Sequence, residues 1–437
     1  MKKINIKIEG GRKLKGKINT NTSKNGAMGL LHAALLNKGK TTLHKIPKTE
    51  EVFRVLEIFE SIGVLCKWIG EENDVLELTP PKKYNFKNIY AESAVKIRSF
   101  LMAIGPLVHH LDNFKIPQAG GCKMGERTIS AHKSGLEKLG VKIKVKDDGY
   151  YISKDKLKPA EIVMYEASDT ATENILICAA GIAGKTTIHF GQQNYMVMDV
   201  IYFLKSLGIK IEFLSDKIVV HGKKNINKNI KVYNSEDPVE SMFFISAAVS
   251  TKSKDFVIRR CPINFLRLEI LKMESMGIEF KISKTYLSYN KKTVLADISI
   301  SKFKKLKALP DKIHALPYPG INIDNLPFFV PICLQAEGKS LIHDWMWEKR
   351  IEYFTLLKKT GAKIKLLDKH RIEIEGNKSL KPATINCPPA LRPSAAILIT
   401  LLGINGESRL NDIYNIKRGY ADIVERLNSV GAKIEEI

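Results

Sequence analysis

Leu136–Ile143 reads LEKLGVKI, and this phrase decides the fold. It carries apolar residues at helical spacing, then a glycine, then alternating apolar and polar residues. It recurs as LEIFESIGVL (Leu56–Leu65), LKSLGIKI (Leu204–Ile211), LKMESMGIEF (Leu271–Phe280), LLKKTGAKI (Leu356–Ile364) and LNSVGAKI (Leu427–Ile434). Each copy predicts the last turns of an amphipathic helix, a glycine cap and a half-buried strand. Glycine enters the left-handed region at a helix end without a Cβ clash, and period-two alternation marks the strand. Copies follow one another at roughly 70-residue intervals, the spacing of repeated supersecondary units.

A second phrase falls between these copies. It reads AALLNKGKTTLHKI at Ala33–Ile46, AAGIAGKTTIHF at Ala179–Phe190, LQAEGKSLIHD at Leu334–Asp344 and LLGINGESRLND at Leu401–Asp412. It predicts an apolar helix end, a short turn and a β-branched strand. Six α/β units therefore follow, dividing as three plus three. The expected lobes are 22–233, and 1–21 together with 234–437, so that the first strand-like residues join the C-terminal half. A substrate cleft is expected between the two lobes.

Composition narrows the class. Of 437 residues, 44% are hydrophobic and 27% charged, which is ordinary for a globular chain. The six cysteines, Cys66, Cys122, Cys178, Cys261, Cys333 and Cys387, form no CxxC pair, which excludes zinc-ribbon and thioredoxin chemistry. No apolar run is long enough to span a membrane, and the N-terminus has no secretory h-region, so a cytoplasmic protein is expected. The net charge is +24, from 70 Lys+Arg against 46 Asp+Glu. The lysines are scattered without interleaved aromatic stripes, which argues for solvated faces rather than a nucleic-acid partner. GKTT at Gly39 and Gly184 lacks the upstream glycine of a phosphate loop and reads as a turn into a strand.

Chemistry is concentrated in a few places. Ile116–His132, IPQAGGCKMGERTISAH, is a glycine-rich loop in which Lys123 and Arg127 flank Cys122 and would lower the pKa of its thiol. Thr22–Met28, TSKNGAM, opens a helix in which Ser23 caps and Lys24 and Asn25 border an anion site of free amides. Arg98, Arg350, Arg392 and Arg418 stand at element boundaries in a lysine-rich chain. Their planar forks suit carboxylate and phosphate. Asp324, between two prolines in YPGINIDNLPFFV, is placed to act as a general base.

In order along the chain stand SKN (Ser23–Asn25), Arg98 with its following GPL, GGCxxGxR (Gly120–Arg127), His132 and ATEN (Ala171–Asn174). Asp324, ExR (Glu348–Arg350), LRxSA (Leu391–Ala395) and RGY (Arg418–Tyr420) follow. With this set the chain resembles the enolpyruvyl transferases over essentially its full length, in particular those that use UDP-N-acetylglucosamine. The resemblance implies an EPSP synthase-like fold: a two-lobed inside-out α/β barrel of six βαβαββ-type repeats. It also implies transfer of the enolpyruvyl group of phosphoenolpyruvate to a sugar hydroxyl with release of phosphate, as the first committed step of peptidoglycan synthesis, without metal or organic cofactor. Cys122 would protonate C3 and be the thiol that fosfomycin alkylates. Asp324 would take the hydroxyl proton. Lys24, Asn25, Arg127 and Arg418 would hold phosphoenolpyruvate, with Arg350 and Arg392 lining its site. Asn25, Arg98, Arg127, Ser168, Asp324 and Met346 would meet the acceptor.

Departures from the family pattern fall on the nucleotide side. Thr128 and Ser130 replace a proline and an aspartate, Glu166 replaces a lysine, and Asn194–Val197 replaces Arg-Glu-Pro-Glu. Pro238 takes the place of an arginine, Ala390 and Lys417 each take that of an aspartate, and Gln118 and Ala119 are extra. An enolpyruvyl transferase acting on another nucleotide or sugar is the alternative reading.

Overall fold

All six glycines of the repeated phrase have positive φ: 98° at Gly63, 96° at Gly140, 84° at Gly208, 105° at Gly277, 83° at Gly361 and 98° at Gly431. The computed structural model describes residues 4–70, 74–86, 89–118, 129–376 and 379–437. Within them each glycine follows a helix and precedes a strand, as in helix Ser130–Lys138, Gly140 and strand Val141–Lys146. The fifth copy differs: Ile351–Thr360 is a 3₁₀ helix. There the Thr355 and Thr360 hydroxyls donate to the carbonyls three residues back, of Glu352 and Leu357, both at 2.7 Å, and such local bonds compete with the α ladder.

The strands of the second phrase are the central ones. Thr41–His44 pairs in parallel with Ile230–Tyr233 and antiparallel with Val75–Thr79, which pairs antiparallel with Leu65–Ile69. The same order, one parallel neighbour and then two antiparallel ones, builds sheets around Gly184–His189, Phe256–Cys261, Lys339–His343 and Gly406–Asn411. The sixth sheet joins Asn113–Ile116, Gly149–Lys154 and Val141–Lys146, all antiparallel. Both GKTT segments lead directly into strands.

The described residues form two units with three sheets each. One holds residues of 22–235, the other residues of 1–21 and 236–437. In the second unit Ile6–Gly10 lies between Gly406–Asn411 and Ile434–Glu436, and Gly16–Asn19 runs parallel to Phe256–Cys261.

Helices without a polar stripe form the interior, as expected of helices that are apolar all round. Pro238–Ser250 and Leu391–Leu402 are buried along almost their whole length in one unit, as are Gly26–Ala34 and Ala171–Ala180 in the other. The sheets alternate across their faces: Val141 and Ile143 are buried while Lys142 and Lys144 point to solvent. This alternation places lysines on solvated faces. Among the described residues no helix is long and apolar enough to cross a membrane.

Candidate active site

In the unit containing the C-terminal residues, Asp324 occupies the turn before the 3₁₀ helix Leu326–Phe328. Its N–H donates to Asn322 Oδ1 at 2.8 Å, an Asx turn that fixes the backbone. Asp324 Oδ2 accepts from Arg392 Nη2 at 3.1 Å, and Arg350 Nη1 stands 3.9 Å from Oδ1. Arg392, at the start of helix Leu391–Leu402, also donates through Nη1 to the Tyr420 hydroxyl at 2.7 Å. Its guanidinium carbon lies 5.3 Å from the centre of the Tyr420 ring.

Arg350 is 1% exposed. Nε donates to the Asp344 carboxylate, which is equally buried, and Nη2 donates to Ile323 O at 2.8 Å. Burial pushes the Asp344 carboxyl upward, while the Arg350 charge draws it back down. Deleting one member of such a pair strands the other charge and costs about 3–5 kcal/mol. Nearby, Asp237 caps helix Pro238–Ser250 by accepting the Val239 N–H at 2.8 Å. Burial pushes its carboxyl to about 6, against the pull of Arg392. Burial also raises the Tyr420 hydroxyl. Arg418 lies in the last turn of the short helix Tyr414–Gly419, close in sequence to Tyr420. Met346 is half-buried after strand Lys339–His343.

In the other unit, helix Lys24–Ala34 begins with Ser23 Oγ accepting the Gly26 N–H at 3.0 Å. The Lys24 ammonium pairs with the Glu51 carboxylate, and Asn25 Nδ2 donates to the Tyr195 hydroxyl at 3.0 Å. Ser168 is the N-cap of helix Asp169–Ala180, accepting the Ala171 N–H at 3.4 Å. Asn194 Nδ2 donates to Asp169 at 3.0 Å, and Asn194 Oδ1 caps the helix that starts at Tyr195.

Arg98 precedes the 3₁₀ helix Ser99–Ala103. Burial lowers its pKa, while Glu166 lies near enough for its negative charge to favour the protonated guanidinium. The motif residues His132 and Asn174 bond to each other, Nδ1 to Nδ2 at 3.1 Å, and Asn174 also holds Gly105 N–H and Leu101 O. Burial drops the His132 ring to about 4. These two residues knit the interior of their unit.

The structure thus brings Asp324, Arg350 and Arg392 together in one unit and gathers Lys24 and Asn25 at one helix start in the other. Cys122 and Arg127 lie outside the described residues. Among the described residues, no group of three or more His, Cys, Asp or Glu side chains could hold a metal ion. A carboxylate beside two guanidinium groups can accept a proton and lies where an anionic group would be recognised.

Sequence reasoning did not anticipate Asp344, Glu51, Tyr195 or Asp237 as partners of these residues. Asp237 alone carried a local signal, since Asp followed by Pro is the signature of a helix start. Glu51 and Tyr195 meet their partners only through the tertiary fold, and Asp344, six residues before Arg350, carries no motif that marks the pair.

A family model for EPSP synthase (3-phosphoshikimate 1-carboxyvinyltransferase) matches residues 8–427. A UDP-N-acetylglucosamine 1-carboxyvinyltransferase of Elusimicrobium minutum is 32% identical over 431 residues, spanning 98% of this chain and 97% of that protein. One from Campylobacter lari is 28% identical over 434 residues, spanning 99% of both. Among solved structures, the enolpyruvyl transferase NikO from Streptomyces tendae matches with a TM-score of 0.86 at 21% identity, covering 100% of this chain and 99% of that one. An EPSP synthase from Acinetobacter baumannii matches with a TM-score of 0.72 at 17% identity, covering 99% and 100%. The last two are likenesses of fold.

Proposed function

The chain belongs to the EPSP synthase family of enolpyruvyl transferases, and from that premise we propose that it transfers the enolpyruvyl group of phosphoenolpyruvate to a hydroxyl of UDP-N-acetylglucosamine. The observation that carries this reading is the full-length likeness to UDP-N-acetylglucosamine 1-carboxyvinyltransferases.

In this reaction the acceptor oxygen bonds to C2 of phosphoenolpyruvate as Asp324 takes the hydroxyl proton and Cys122 protonates C3. The tetrahedral adduct then loses a C3 proton and phosphate, which restores the double bond. Lys24, Arg127 and Arg418 hold the phosphate and carboxylate, Arg350 and Arg392 add positive charge where negative charge develops, and Arg98, Asn25, Ser168 and Met346 face the acceptor. The Arg392–Asp324 hydrogen bond supports the assignment of Asp324, because it orients the carboxylate.

A second reading keeps the reaction and changes the acceptor. The charge of Glu166 acts on Arg98 where the family has a lysine, and a carboxylate there opposes a diphosphate. Asn194–Val197, which stands for a charged family phrase, is buried and used internally. Phosphate release from phosphoenolpyruvate, measured with UDP-N-acetylglucosamine, shikimate 3-phosphate and other nucleotide sugars, tests both. Release with UDP-N-acetylglucosamine at the highest kcat/KM is expected. Release with another nucleotide sugar alone would replace the first reading by the second.

A further inference from the structure

The turn that carries Asp324 is held by a residue from a different repeat. Glu269 stands in the first turn of helix Arg267–Ser275 and is 2% exposed. Its Oε1 accepts from the backbone N–H of Asn322 at 3.1 Å and from Asn325 Nδ2 at 2.8 Å. These two asparagines bracket Asp324. Asn322 Oδ1 then accepts the Asp324 N–H at 2.8 Å, and Asn322 O accepts the Asn325 N–H at 2.9 Å. Arg350 holds another carbonyl of the turn, Ile323 O, at 2.8 Å. Glu269 is thus the buried acceptor on which the asparagine frame rests.

We propose that Glu269 is a positioning residue for the reaction, setting the direction of the Asp324 carboxylate through Asn322 and Asn325. The inference rests on the reading of Asp324 as the proton acceptor. Its physical basis is the steep dependence of proton transfer on geometry. A side chain aimed by an Asx turn follows that turn, and displacement by about 1 Å can cost about 10²-fold in rate. Two donors that satisfy this buried carboxylate come from the turn that carries Asp324, one from each side of it.

The test measures phosphate release from phosphoenolpyruvate with UDP-N-acetylglucosamine as acceptor, in the full-length chain, for wild type, D324N, E269L, E269Q and the double variant E269L/D324N. E269L should lower kcat by about 10- to 100-fold while KM for both substrates stays within about threefold. E269Q keeps an acceptor oxygen at the same place and should restore most of the rate. In the D324N background, E269L should lower the residual rate no further, because two residues acting through one group are not additive.

A wild-type kcat in folded E269L, with D324N inactive, would overturn the inference. So would a loss from E269L that is equally large in the D324N background, which marks a general structural role. A wild-type rate in D324N would instead overturn the reading of Asp324 itself. N322A covers the case in which E269L does not fold. It removes only the acceptor for the Asp324 N–H from a half-buried residue, and the same loss confined to kcat is expected. Wild-type kcat in N322A would count against the inference.

Discussion

Asp324 accepts a hydrogen bond from Arg392 at 3.1 Å across 68 positions of sequence, and the same guanidinium donates to the Tyr420 hydroxyl at 2.7 Å. The candidate base is therefore oriented by a side chain at the start of a buried helix, which is itself braced by a phenol.

Replacing the base tests the chemistry most directly. D324N keeps the size of the side chain and its acceptor oxygen for Arg392 but cannot take up a proton. Its kcat should fall by about 10²–10⁴-fold, the usual contribution of a positioned general base, with unfolding behaviour close to wild type. Steady-state phosphate release and a thermal melt report both, and full turnover would remove Asp324 from the mechanism.

Thiol labelling should single out one cysteine. Burial pushes the thiols of Cys66, Cys178, Cys261, Cys333 and Cys387 up to about 12, so each is almost wholly protonated near neutral pH. Brief treatment with iodoacetamide at about pH 7.5 should modify Cys122 first, and phosphoenolpyruvate should slow it. Peptide mapping by mass spectrometry gives the answer. Equal modification of the other five would contradict the reading, and C122S should lose most of its turnover.

The pH dependence of stability should carry a mark of Asp237. Its carboxyl is pushed from the ordinary 3.8 to about 6 by burial. The folded state then holds a proton that the unfolded state has released, so stability falls as pH rises through that window and the loss is complete above about 6. D237N removes this term while its amide oxygen can still cap the helix. Relative to wild type it should gain stability between pH 4 and 6 by roughly 1–3 kcal/mol, read from urea midpoints. A constant difference across that range would assign the shift elsewhere.

The glycine caps offer a graded comparison. At Gly361 an added Cβ meets nothing closer than 3.9 Å, so alanine adds only the strain of φ 83°, about 1–2 kcal/mol. At Gly140 the Cβ would also lie 2.8 Å from the Lys156 carbonyl oxygen. G140A should therefore destabilise more than G361A. Equal urea midpoints for the two would show that the backbone relaxes around Lys156.

These residues also show why the fold was more legible than the site. A helix stop such as Gly208 is a local demand: the backbone must turn left-handed, few residues do so cheaply, and the glycine is visible wherever the demand recurs. Alternation in VKIKVK is likewise local, because successive side chains must face opposite sides of a sheet. Arg350 and Asp324 announced themselves by residue type and by motif. Their companions did not. Glu269 looks like any charged residue in the first turn of a helix, and Asp344 like any strand end. What makes them matter is burial against a partner, for Glu269 a turn 53 positions away and for Asp344 the guanidinium of Arg350, and no periodicity encodes either.

The placement of the first two strands has a consequence for the order in which this polypeptide matures on the ribosome. Gly16–Asn19 has its parallel neighbour at Phe256–Cys261, and Ile6–Gly10 lies against Gly406–Asn411. At about 5–20 residues per second, Ile6–Gly10 waits roughly 20–80 s for its neighbour to be synthesised. The described strands of the unit drawn from residues 22–235 pair only with one another, so their sheets can form in the meantime. Ile6–Gly10 emerges long before the strands on either side of it, so through most of elongation it is an unpaired edge for chaperones to guard.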